Sequence, residues 1–260
     1  MPTSPADPRP QPAAEAGALR PAPVGMRDLA AAFAEGLAVF RAVRGLSMAY
    51  AAVFALLGLV LFVALELMSI APLSLSLAGG FMLLAPALLA GFFAIDDRHR
   101  QGGQPGFADI RAGFARLPRG GWVVSFVCAL LFLIWMTDAG TLYGFMVGQV
   151  PSGFGRLIAL DTDIARFAFF SSIMGAVLAF IIFTVSAFSI PLIYDGRATL
   201  VSGVAASARA VFARFPVVMS WALAMSAAII VSALLLPLLV VSLPVAAYTG
   251  RALYRRLFPA

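Results

Sequence analysis

The stretch that decides the fold is Ser171 to Tyr194, SSIMGAVLAFIIFTVSAFSIPLIY, followed directly by Asp195, Gly196 and Arg197. It runs for 24 residues without a charge. About 20 helical residues cross a hydrocarbon core of roughly 30 Å, so this is a membrane span that stops at a charged end. Further apolar runs lie at 47–67, 75–95 and 122–140, and a longer one at 217–248. The long run holds 32 residues and is interrupted by Pro237 and Pro244. It reads either as a hairpin of two short spans, 217–234 and 236–252, or as one broken helix.

Composition says the same of the whole chain. Of 260 residues, 62 % are AVILMFWYC and 12 % are charged, with a mean hydropathy of +0.98. Soluble domains run at roughly 45 to 50 % apolar, so the excess faces a bilayer. Cys128 is the only cysteine and His99 the only histidine, which excludes a disulfide scaffold and any multi-histidine metal or haem site. No cofactor and no enzymatic activity are expected.

All 18 basic residues are Arg. With six spans, 16 of them share one side with both chain ends, and only Arg156 and Arg166 fall on the other. The positive-inside rule then places the N- and C-termini on the cytoplasmic side. Arginines scattered between apolar runs, with no basic domain, argue against nucleic acid as a partner. Residues 1–25 hold seven prolines and few large apolar side chains, and are expected to form a disordered cytoplasmic tail ahead of a membrane domain over 26–257.

A unit repeats along the chain. Leu29, Phe33, Leu37 and Phe40 recur at helical spacing before the first span. Phe107, Ile110, Phe114 and Leu117 do so before the third, and Val201, Val204, Ala208 and Val211 before the fifth. Two of these amphipathic helices end alike, in Arg116-Leu117-Pro118 and Arg214-Phe215-Pro216. The expected fold is all-α: six transmembrane helices in three tandem units, each an amphipathic cytoplasmic helix and a helical hairpin.

These residues resemble a bacterial family of multi-pass integral membrane proteins of unknown function, some of which carry a cytochrome c oxidase subunit label. The resemblance covers about 36–256 and rests on GGFMLLAPALLAG at 79–91, Ser189-Ile190-Pro191-Leu192 leading to Asp195 and Arg197, the 207–216 stretch, and the 244–254 stretch. It implies an inner-membrane protein and supplies no catalytic residues. This chain departs from the family at Phe215, where Asn is frequent, and at 246–248, where the family often has His. A haem-copper catalytic subunit needs several intramembrane histidines, and His99 lies in a charged loop, so only an accessory role fits that label.

Charges inside a membrane are functional candidates because they are costly there. Asp138, with Thr141 one turn on, lies inside the third span if that helix continues toward Val147, and at the outer interface if it stops near Thr137. Asp96, Asp97, Arg98, Asp195 and Arg197 form the charged ends of two spans. Pairing of Asp195 with Arg197, and of Asp96 or Asp97 with arginines of neighbouring units, would tie the cytoplasmic ends together. Ser171, Gly175 and Ala179 make a small-residue row that allows close helix packing, within the chain or between copies. The functional expectation is a non-catalytic accessory or scaffold protein whose partners are the lipid bilayer and another inner-membrane protein or a second copy. The alternative is a small permease or lipid-handling transporter with a cavity between the repeats.

Overall fold

The computed structural model describes residues 19–80, 85–148, 152–159 and 161–259. Its helices are α1 (Met26–Ala42), α2 (Arg44–Leu67), α3 (Leu73–Gly80), α4 (Ala85–Arg100), α5 (Phe107–Arg116) and α6 (Arg119–Met146). There follow α7 (Phe154–Ile158), α8 (Thr162–Ser186), α9 (Ser189–Tyr194), α10 (Leu200–Ala213), α11 (Phe215–Leu234) and α12 (Leu239–Leu257). Among the described residues there are no strands beyond one isolated bridge, Ile70 to Ser152.

Among the described residues, five segments are long and apolar enough to cross a membrane: Arg44–Leu67, Arg119–Met146, Thr162–Tyr194, Phe215–Ala233 and Leu236–Leu257. The span expected at 75–95 is described as α3 and α4, and residues 81–84 between them lie outside the described residues. α3 begins where the Ala71 N–H donates to the Ser152 carbonyl, and α4 finishes among the arginines of α12.

Two boundaries differ from the sequence reading. α6 does not stop at Thr137 or at residue 140. Trp135, Ala139 and Tyr143 form a buried stripe that carries it on to Met146. Gly148, at φ +74, ends it with its N–H on the Tyr143 carbonyl, a left-handed cap that glycine adopts without penalty. α8 begins nine residues before Ser171, because Ile164 and Phe167 are buried while Asp163 and Arg166 sit on the exposed side of the same turns. The run then breaks at Ala187 and Phe188. Ser207 of α10 bridges the break, donating to the Thr184 carbonyl at 2.8 Å and accepting from the Phe188 N–H at 3.2 Å.

The 217–248 run is a hairpin. Pro237 sits in a 3₁₀ turn, Leu236–Leu238, that joins α11 to α12. The two helices return alongside each other, so that a Cβ on Gly250 would lie 3.9 Å from the Trp221 ring.

α1 packs on α12 from the far end of the sequence, whereas α5 packs on α4 and α10 on α8 and α9, the apolar helices that precede them. The faces match the expected stripes in part: Phe40, Ile110, Leu117 and Val211 are buried and Leu29, Leu37, Phe114 and Val204 pack against the core, but one bulky member of each stripe is exposed. The buried residues of α1 are Ala32, Gly36, Val39 and Phe40, whereas Phe33 is exposed. α5 buries Ile110 and Gly113 and exposes Phe107. α10 buries Gly203, Ala206, Ser207 and Ala210 and exposes Val201. Small side chains let the backbones approach beside the buried Phe40, Ile110 and Val211. Of the expected tail, residues 1–18 lie outside the described residues. Residues 19–25 are not free chain: Leu19 and Val24 are buried, and the Ala22 N–H donates to the Leu257 carbonyl at 2.8 Å.

Candidate functional site

At one end of the bundle, segments far apart in sequence meet in a cluster of ions. Arg251, on α12, is 4 % exposed. Its Nη2 reaches Asp195 Oδ1 at 2.6 Å and Asp97 Oδ1 at 3.2 Å, and its Nη1 reaches Asp195 Oδ2 at 3.1 Å. The Tyr254 hydroxyl donates to Asp195 Oδ2 at 2.9 Å. The guanidinium lies over the Phe93 ring, 4.7 Å from its centroid, with Tyr194 and Tyr254 on its other sides. A fully desolvated cation needs such paired oxygens and ring faces, because burial without them is prohibitive.

One turn further along α12, Arg255 meets Asp96 at 2.7 Å, and Arg256 meets Glu35 of α1 at 2.7 Å. Arg100 closes the circuit, pairing with both Asp96 and Glu35. Asp96 is wholly buried. Four carboxylates thus face four guanidiniums, and α1, α4, α12 and the end of α9 are tied at one point.

The cluster's acids are set in opposite directions. Burial pushes the Asp97 carboxyl up, Asp195 and Asp96 add to that, and Arg251 only partly offsets it. Burial also acts upward on Glu35, but there hydrogen bonds and charge from Arg256 and Arg100 prevail and hold it below its ordinary 4.5.

The expected pairing of Asp195 with Arg197 does not form. Arg197 donates instead to the carbonyls of Phe258 and Pro259, at 2.6 and 2.8 Å. Asp195 and Arg197 are held on either side of the left-handed Gly196 (φ +68), and each meets a different part of the C-terminal helix. Arg98 is exposed and makes no ion pair among the described residues, its guanidinium lying against Gly103. Sequence reasoning missed Glu35, Arg251, Arg255 and Arg256. The available signal was the Tyr-x-Gly-Arg that ends both 194–197 and 248–251.

At the opposite end, Glu66 accepts from the Phe154 N–H at 2.8 Å, and Arg156 pairs with Asp161. Ser171 and Gly175 pack inside the chain: Ser171 shares a hydrogen bond with Ser76 at 2.7 Å, and a Cβ on Gly175 would come within 2.6 Å of Trp135. Ala179 lies half-buried on the same row. Asp138 and Thr141 stand elsewhere, exposed on α6 with Thr137, and Asp138 has no ion pair among the described residues.

Residues 73–195 match the family model described as predicted integral membrane protein (DUF2189), a family of unknown function. No curated protein and no solved structure matches the chain. Fold and match together define an integral membrane protein with several apolar helices in contact with the lipid bilayer. The matched family's description names no oxidase.

Proposed function

We propose that this chain is a non-catalytic scaffold of the bacterial inner membrane, which docks another membrane polypeptide on the outer half of α6. The observation that supports the reading is Asp138. With Trp122 at the headgroup level, about 20 residues of α6 lie in hydrocarbon, and Asp138 falls inside that length. A lipid-facing carboxyl is costly within that length, about 2.5 to 3.5 kcal/mol at the helix centre and less toward the interface, unless a partner meets it. Thr137 and Thr141 flank it, and their hydroxyl protons already go to the carbonyls of Leu133 and Thr137, leaving oxygens free to accept. A Cβ added at Gly144, which lies beside Thr137 and Thr141 on the exposed face, would meet nothing within 4 Å, so another helix can approach closely.

In the same reading the chain crosses six times, with both ends cytoplasmic, as three units closed in a ring. Its support is the order of packing: the amphipathic helix of each unit lies on the exit of the preceding hairpin, and α1 lies on that of the last.

Photocrosslinking at native expression tests the proposal. A benzoylphenylalanine at Thr141 or Phe145 is expected to capture a polypeptide, while one at Leu56 or Val60, equally exposed on α2, captures lipid alone. Lipid adducts alone at all four positions would overturn it.

A further inference from the structure

α8 and α11 do not close on each other, and between them runs a groove of about 410 Å³. That volume lies in the range of small-molecule sites, roughly 300 to 1,000 Å³. Small side chains open it: Ala176 and Ala179 on α8, Ala222 and Ser226 on α11. Leu89 and Leu243 are part of its floor. Ala176 and Leu223 are exposed, so the groove communicates with the bilayer side of the bundle. Its walls are overwhelmingly apolar along the membrane-spanning length.

One end is different. There the groove meets Phe93 and Arg251 of the ion cluster. Arg251 is more than nine-tenths buried, and its Nη groups are taken by Asp195 and Asp97, yet its Nε–H has no acceptor. A buried donor without a partner is costly, and an oxygen arriving along the groove would satisfy it once the side chains that cover Nε shift aside. Two carboxylates already face this one cation, so an anionic group would meet net negative charge. A neutral carbonyl would not. The arginine-rich end is the headgroup level, where the ester carbonyls of a glycerolipid lie with their chains running into the hydrocarbon.

We infer that the groove holds one acyl chain of a bilayer glycerophospholipid, with its ester carbonyl accepting from Arg251 Nε. The lipid seats with its headgroup beyond the ion cluster and its chain between α8 and α11. This site is separate from the face of α6 that carries Asp138, which is not part of the groove lining.

Trp135 and Trp221 line the groove and are buried, whereas Trp122 faces outward. The full chain carrying Trp122→Phe is placed in vesicles of phosphatidylcholine brominated at mid-chain. Its remaining fluorescence is expected to fall by more than half, and Ala176→Phe with Ser226→Phe to restore most of it. No quenching, or quenching unchanged by filling the groove, overturns the site. Ester-linked phosphatidylcholine is expected to displace the brominated lipid about tenfold better than its ether-linked analogue, which lacks the carbonyl. In Arg251→Lys the preference is expected to vanish. Equal competition against the unaltered arginine overturns the carbonyl contact, whether or not the lysine variant folds.

Discussion

Gly36 and Gly140 are both glycines on helices, and the structure gives them opposite sensitivities. A Cβ at Gly36 would stand 2.6 Å from the Thr249 backbone nitrogen, an atom that cannot swing aside. Gly36→Ala is expected to lower stability by about 1 to 3 kcal/mol, seen as a reduced melting temperature in detergent. Gly140→Ala is expected to leave it unchanged or slightly raised, since alanine is the better helix former. Glu35 carries a pH dependence with a definite sign. Its folded value lies below its ordinary 4.5, so its contribution is present above that value and is lost as pH falls through the lower one. Acid is therefore expected to loosen α1 from α4 and α12, and Glu35→Gln to remove that part of the acid transition, as read by proteolysis within α1. Single charges were legible in the sequence only as span ends. Asp195 lies two residues from Arg197, yet its partner is 56 positions away, because only the packed helices decide which charged ends meet.

Helical periodicity located α1, α5 and α10 correctly and turned most of each stripe toward the bundle, but it missed the small residues packed beside the stripe and the one bulky member of each that is exposed. In water, the large apolar residues of an amphipathic helix point inward. Here Phe40, Ile110 and Val211 do so, but Phe33, Phe107 and Val201 are exposed and glycine, alanine and serine share the contacts, because lipid solvates bulky side chains as well as protein does. Hydropathy undercounted α8 for a different reason: its N-cap Asp161 and its first turns, with Asp163 and Arg166, are charged, although those turns bury Ile164 and Phe167. The break after α8 makes a further test. Ser207→Ala leaves the Phe188 N–H and one bond to the Thr184 carbonyl unmet, and is expected to cost about 1 to 3 kcal/mol in thermal unfolding. Ser207→Thr, which keeps the hydroxyl, is expected to lose less.

On the scale of the whole molecule, the ion cluster is the single point where α1, α4, α9 and α12 are held together. Removing its central cation by Arg251→Ala leaves Asp97 and Asp195 facing each other with no positive charge between them, and is expected to destabilise the chain by about 3 to 5 kcal/mol. Adding Asp97→Asn and Asp195→Asn to that variant is expected to recover part of the loss, measured by thermal unfolding of the single and combined variants. The cluster also bears on biosynthesis. Arg251 follows Asp195 by 56 positions and Asp97 by 154, so a ribosome delivers both acids to the membrane before their shared counterion exists. At ordinary elongation rates Asp97 waits on the order of 10 s. Both acids therefore enter the membrane region without the counterion they share in the finished bundle, and the cluster assembles only once α12 is in place.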